Sequence, residues 1–401
     1  MVCALGATQT LAWASSTYLP AILAAPIARD LEISRATVFG AFSVSLLVMA
    51  AAGPMVGRAI DRAGGRHMLM WSNLVLAAGL AMLGAANHVA VLFAAWCILG
   101  AGMAMGLYDA AFAALVRIYG VDARKPITGI TLIAGFASTV GWPLSAFMDA
   151  QIGWRGACFV WAGLHLLVAL PMNWRLIPAV ADAHPAPVKG APAAGQAEAL
   201  SESAADTAAR RRSFALLAVY FATTAFVTSA YASHLPGLLG AMGAGAAGAV
   251  LAAALLGPAQ VAARLVEFGV ISRYRVHALT TARVATALHP LACLILGVFG
   301  GPLGFAAAFA LLHGAGNGMI TIAKGTLPLA LFGAAGYGLT QGWLGVGARL
   351  MQATAPYAFG LVLDMFGGRV ALAISAGLSV LAVGSLFLLR AQPEAHRHGR
   401  H

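Results

Sequence analysis

The sequence predicts an all-α integral membrane protein, and three observations carry that reading. Hydrophobic residues make up 61% and charged residues 9% of the 401 positions, against about a quarter charged in soluble domains. The apolar residues fall in unbroken runs of roughly 20 or more, the length that crosses a bilayer as a helix. They do not alternate over roughly ten residues as the strands of a membrane barrel do. Short loops bearing glycine and arginine join the runs, the clearest being Gly57 to Arg66, set between Ala36–Val56 and Met68–Ala86.

Hydropathy and Gly/Pro punctuation place twelve spans. Six fall in the first half: Met1–Ala25, Ala36–Val56, Met68–Ala86, Val89–Tyr119, Pro126–Met148 and Arg155–Leu176. Six fall in the second: Ser213–Leu235, Gly245–Phe268, Ala278–Phe299, Pro302–Phe332, Gly336–Leu363 and Val370–Leu389. Residues 1–177 and 213–390 are thus predicted to form two six-helix bundles. Between them, 178–212 carries Pro185, Pro187 and Pro192 among small and acidic residues, too little apolar surface to fold alone, and reads as a linker. Residues 391–401 form a polar tail.

Lys and Arg set the orientation. Loops on one side hold Arg29, Arg35, Arg155 and Arg369; the other side holds Arg58, Arg62, Arg66, Arg117, Arg124, Lys125, Arg175, the Arg210–Arg212 triplet and more. The rich side is predicted to be cytoplasmic, with both termini inside, in the inner (plasma) membrane. The net charge of +11 follows from this topology and attraction to anionic lipid, so no nucleic-acid partner is needed. No basic region precedes the first apolar run, which argues against a removable signal peptide. Cys3, Cys97, Cys158 and Cys293 stand singly in apolar runs, with no disulfide framework or metal pair. No cofactor is implied.

The halves echo each other. Gly53-Pro54 is matched by Gly257-Pro258, with Arg58 and Arg264 following; Gly100-Ala101-Gly102 by Gly314-Ala315-Gly316; and Asp149, Gly153 and Arg155 by Asp364, Gly367 and Arg369. Parallel repeats of this kind place a solute site between the halves.

The stretch Gly57, Asp61, Arg62, Gly64, Arg66 resembles the loop signature of the major facilitator superfamily, usually G-x-x-x-D-R-x-G-R-R, with Gly65 departing from it. Twelve spans, a central linker and Gly153-Trp154-Arg155 before span six are also similar to that superfamily. The resemblance implies its two-bundle fold, alternating access and a monomer. Spans one and five look most like its organic-anion carriers of the monocarboxylate and oxalate type. It further implies that Asp61, Arg62 and Arg66 latch the cytoplasmic ends of the halves together. From the residues themselves, Gly57 allows close helix approach, Asp61 can accept from a neighbouring helix N-terminus, and the arginines, with Arg117 nearby, can pair with carboxylates or lipid. In the second half, Arg264 and Glu267 are expected to form a lesser latch.

A charge inside a span costs several kcal/mol unless it is paired or faces water. Asp109 in span four is expected to carry the coupling proton, since burial disfavours a carboxylate; the alternative is a permanent pairing with Lys324 or Arg117. Arg349 in span eleven is the expected substrate anchor, because its planar fork matches a carboxylate. Lys324 in span ten is a second candidate or a helix-end anchor. Two cations against one acid suggest an anionic solute.

Gln9 and Trp13 in span one, Tyr108, Trp142 in span five, His313 and Asn317 in span ten and Gln341 in span eleven are candidate cavity-lining residues, with Tyr18 beside them. His313 and Asn317, four apart, share a helix face. His165, His234 and His289 read as structural. Gly135, Gly141 and Pro143 in span five, and Gly345, Gly347 and Pro356 in span eleven, are expected hinges.

No P-loop, GxSxG, HExxH or metal spacing is present, which argues against an enzyme or an ATP-driven pump. The leading reading is proton-linked symport of a small carboxylate. Proton-exchange efflux of a drug-like or toxic compound and a non-transporting membrane sensor are the alternatives.

Overall fold

A computed structural model of the chain describes residues 1–178, 204–271, 273–274 and 276–389. Among these, nine helical tracts are long and apolar enough to cross a membrane. Span one comprises α1 (Val2–Ser15) and α2 (Leu19–Asp30); α3 (Arg35–Ala63) and α4 (Gly65–Gly84) follow, separated only by Gly64. One 88-residue tract, Val89–Leu176, contains α5 (Val89–Gly106), α6 (Tyr108–Tyr119), α7 (Arg124–Ala134), α8 (Ala137–Leu164) and α9 (Leu170–Leu176). The second half holds α10 (Ala204–Ala241), α11 (Ala246–Ala254), α12 (Leu256–Val266), α13 (Ala278–Phe299), α14 (Leu303–Phe332) and α15 (Tyr337–Leu388).

The two longest tracts break where the sequence places loops. Gly153 (φ 73°, ψ 166°) interrupts α8 and Gly367 (φ 80°, ψ 174°) interrupts α15, with nearly the same backbone conformation at corresponding steps of the two halves. Positive φ is open to glycine at little cost, so each glycine turns the chain without a loop. The buried apolar core divides accordingly: one cluster draws almost entirely on residues before 178, and two draw on residues 217 to 389.

Three details differ from the sequence reading. Helix α10 begins at Ala204, inside the stretch read as linker; residues 179–203 and the tail from 390 lie outside the described residues. Span four is broken at Leu107, whose ψ of −171° separates α5 from α6 two residues before Asp109. Of the expected hinges, Gly135 ends α7, whereas Gly345, Gly347 and Pro356 lie in continuous helix. Pro356 cannot donate to the Gln352 carbonyl, and the Ser229 hydroxyl donates to that carbonyl instead (2.9 Å), so the group is satisfied in an apolar setting.

The halves meet most closely where α3 crosses the start of α15. Gly53 and Gly57 face Gly342 and Gly338, a small-xxx-small seam on each helix that lets two backbones touch. A Cβ on Gly342 would stand 2.6 Å from the Gly53 carbonyl oxygen, and one on Gly57 would overlap the Gly338 carbonyl. Neither neighbour is a side chain that can turn away.

Gly57→Ala is therefore expected to part the two helices at this end, at a cost of about 1–3 kcal/mol, the range for overpacking. Spin labels at the exposed Arg62 and Ala335 should report a longer distance population in the variant; an unchanged distribution would show that the seam does not set the closure.

Candidate functional site

The seam is capped by a carboxylate. Asp61, at the end of α3, accepts from the backbone N–H of Gly338 and of Leu339 in α15, both at 2.8 Å. Helix α15 has no side-chain cap of its own, because Gly336 occupies its N-cap. The first N–H groups of a helix need an acceptor and carry partial positive charge, so Asp61 satisfies both needs from the opposite half. Gly64 ends α3 with φ 80° and lets α4 start at once. Arg62 and Arg117 are exposed and Arg66 is half-buried; none forms an ion pair among the described residues.

A second inter-half bond lies at the same end. Glu267 is 1% exposed and pairs with Arg124 Nη2 of the first half at 2.8 Å. Arg124 also donates to the Val276 carbonyl. This replaces the expected Arg264–Glu267 latch: the two residues share one helical run, but each side chain finds its partner on α7 of the first half, Glu267 at Arg124 and Arg264 at the Thr131 carbonyl.

Beyond the seam, α6 of the first half faces α15. Asp109 lies in the first turn of α6, and its Oδ2 accepts from Arg349 Nη2 at 2.9 Å while Oδ1 accepts from Gln341 Nε2 at 3.2 Å. Arg349 Nη1 also donates to Gln352 Oε1 at 2.8 Å. Gly345 leaves room for the pair, since a Cβ there would stand 3.4 Å from Asp109 Oδ2. The side chains of Arg349 and Asp109 are 15% and 27% exposed. Lys324 is half-buried within electrostatic reach of both and bonds to neither. The charge of Arg349, assigned by sequence to a solute, is thus matched by Asp109 in this state. A cavity of about 20 Å³ beside the pair, lined by Met49, Gly53, Val56 and Gly342 among others, holds a single water at most.

Arg264 is a nearly buried cation without an acid among the described residues. It is 5% exposed, on α12, and reaches across to the first half. Its Nη1 donates to the Thr131 carbonyl at 3.2 Å, Nε to the Gly318 carbonyl at 3.4 Å and Nη2 to Thr321 Oγ1 at 3.5 Å. No carboxylate pairs with it among the described residues. Tyr18 and Tyr108 lie within its electrostatic reach. Sequence reasoning placed Arg264 at a helix end because it follows the Gly257-Pro258 echo; its position one helical turn before Glu267, inside an apolar run, was the available signal.

Tyr18 and Tyr108 belong to an aromatic group of the first half. The Trp13 ring lies 4.9 Å from Tyr108 and 6.0 Å from Tyr18, which meets Trp142 edge-on at 5.9 Å. The Trp13 indole N–H and the Thr17 hydroxyl are buried without a partner. Gln9 is spent elsewhere, donating at 2.5 Å to the Gly106 carbonyl that the break in span four leaves free. The breaks in spans one and four, at Ser16–Tyr18 and Leu107, adjoin this group in the chain, and the break in span five, at Gly135, lies against the Arg264 guanidinium. His313 and Asn317, expected in the same cavity, instead face α10 and α13 inside the second half, where Asn317 Oδ1 accepts from Thr228 at 2.8 Å.

A family model described as Major Facilitator Superfamily matches residues 5–323. No curated protein matches the sequence. Among solved structures, the human organic anion transporter MFSD10 (TETRAN) superposes with a TM-score of 0.69 at 17% identity, over 96% of this chain and 98% of that one. FucP, a Major Facilitator Superfamily transporter in the outward conformation, superposes with a TM-score of 0.71 at 15% identity, over 96% and 97%. At these identities the likeness is one of fold.

Removing one member of the Asp109–Arg349 pair strands the other charge in a mostly apolar seam. Arg349→Ala should therefore lower stability by about 2 kcal/mol, less than for a fully buried pair because Asp109 is partly solvated. The double variant with Asp109→Ala should recover much of that loss in thermal unfolding; simple additivity would show that the pair does not couple.

Proposed function

This chain belongs to the Major Facilitator Superfamily, and on that footing we propose that it is a secondary transporter carrying a small organic anion by proton-coupled symport. The observation that carries the reading is Arg264: a nearly buried guanidinium between the halves, held only by two carbonyls and a hydroxyl. A permanent charge so placed is costly without an anion. A carboxylate from the solute supplies one. Arg264 thereby takes the anchoring role that the sequence assigned to Arg349, whose charge is already matched.

The partnerless Trp13 N–H and Thr17 hydroxyl are further groups a bound solute would satisfy. Tyr18 and Tyr108 supply flat apolar surface within reach of the anchor, and the Trp13 and Trp142 rings extend that group. Taking the arginine-rich end as cytoplasmic, Asp61 on the α15 N-terminus, the glycine seam and Arg124–Glu267 close the inner side in this state.

Asp109 is the proton-coupling group in this scheme. Protonated, it loses the charge that holds Arg349, and the bridge between α6 and α15 weakens; deprotonated, the bridge reforms. Proton binding thus biases the opening of one half against the other by its differential effect on the two states.

Proteoliposomes offered a panel of carboxylates should accumulate at least one of them under an inward proton gradient. Arg264→Ala should raise the half-saturating concentration about 10- to 100-fold, corresponding to the roughly 1.5–3 kcal/mol of a hydrogen bond to a charged group. Arg264→Lys should fall between. No carboxylate flux in the wild type, or an unchanged Arg264→Ala, would overturn the reading.

Asp109→Asn should retain solute exchange across the membrane while losing gradient-driven accumulation. Accumulation at the wild-type level in that variant would move the coupling proton to another group.

A further inference from the structure

Each half contains a buried histidine cluster joining the helices that the internal repeat makes equivalent, and the two clusters differ in chemistry. In the first half, His165 is fully buried on the turn after α8. Its Nδ1 lies 2.9 Å from Asn73 Oδ1 and its Nε2 2.8 Å from Ser15 Oγ. Asn73 Nδ2 donates to the Leu69 carbonyl, which leaves Oδ1 as acceptor. A neutral ring with its proton on Nδ1 satisfies both neighbours, and neither neighbour titrates.

In the second half, the place facing α10, α13, α14 and α15 holds two rings. His289 Nδ1 and His313 Nδ1 stand 2.8 Å apart. Two bare nitrogens would repel there and two N–H groups would clash, so one proton lies between them: one ring donates from Nδ1 and keeps a bare Nε2, and the other accepts and carries its proton on Nε2. His289 Nε2 lies 3.3 Å from Cys293 Sγ, which also approaches Ser375 Oγ at 3.8 Å; Ser375 in turn meets Tyr231 Oη at 2.5 Å.

The titratable groups facing the rings are Tyr231 from α10 and Cys293 on α13, whereas α14 contributes Asn317 and α15 contributes Ser375. From α12, Ala259 and Gln260 pack on Gly314 and Gly318, and Arg264 is the nearby fixed charge, reaching the Gly318 carbonyl. No carboxylate joins the cluster among the described residues. A cavity of about 20 Å³ touches both rings and is lined by Thr228, Thr286, Asn317 and Ser379. It carries several polar side chains and has room for one water.

We propose that His289 and His313 form a proton-binding dyad on the second half, distinct from Asp109. The bare Nε2 of the donating ring takes a proton that a hydronium ion delivers through the cavity, leaving a neutral water behind. The shared proton can then cross from one Nδ1 to the other, which moves the positive charge to the second ring, and that ring can release its own Nε2 proton. Proton count and charge balance at each step, and the pair ends with its tautomers exchanged. Burial opposes the charge, and passing the shared proton between two rings spreads it. His165 has no second ring and so holds its neutral form.

The test needs no solute, so it stands apart from the choice of cargo. The full chain with ¹⁵N-labelled histidine, in nanodiscs, is followed from about pH 8 to about pH 4, which brackets the ordinary histidine range. The ring-nitrogen signals of His289 and His313 should change together at one midpoint, His165 should stay constant, and His313→Gln should abolish the shared transition at His289. Wild-type rings that stay neutral throughout, or that titrate at separate midpoints with His289 indifferent to His313→Gln, would overturn the dyad.

Discussion

Four glycines let α3 and α15 approach backbone to backbone, and the rest of the site depends on that approach. With Gly53 against Gly342 and Gly57 against Gly338, the end of α3 comes close enough for Asp61 to accept the first N–H groups of α15. The same contact brings the next turns of α15 over α6. It sets Gln341, Gly345 and Arg349 against Asp109 at hydrogen-bonding distance. A seam even one methyl group thicker would separate both the cap and the ion pair, because neither carboxylate sits on a long side chain.

The charges obey one rule with different outcomes. In apolar surroundings an ion is tolerated when something neutralises it. Glu267 is matched by Arg124 and Arg349 by Asp109, each across the line between the halves. Arg264 meets only neutral acceptors. The first two bonds hold this closed arrangement; the third residue is left with capacity for an anion. Under the proposed function that division has a use, since bonds that close one face must be breakable and the proposed solute anchor must be vacant before loading.

The helix breaks serve the same geometry. Leu107 starts α6 afresh, which places Asp109 in a first turn, where the helix dipole favours a carboxylate. Gly135 ends α7 beside Arg264, where a Cβ would meet the guanidinium. The freed carbonyls find side-chain partners, as Gly106 does with Gln9 and Gln352 with Ser229. Irregular backbone in these spans is thus confined to places where protein groups satisfy it.

Composition and periodicity alone determined the fold class, the positions of most helices and the repeat, because the length and polarity of each run answer to the bilayer and not to the partner helix. The glycine-spaced loop likewise pointed to close approach and to Asp61 as an acceptor from a helix start. Partner choice among charges was decided by the tertiary structure. Asp109 and Arg349 are far apart in the chain, and Arg264 and Glu267 are neighbours that each bond to the first half and not to each other, so spacing along the sequence did not reveal either partner. His313 and Asn317 were correctly read as sharing a face, yet which way that face turns depends on how α14 packs between α10, α12 and α13. Hydropathy is a property of a segment; the pairing of a buried charge is a property of two surfaces, and it exists only once they meet.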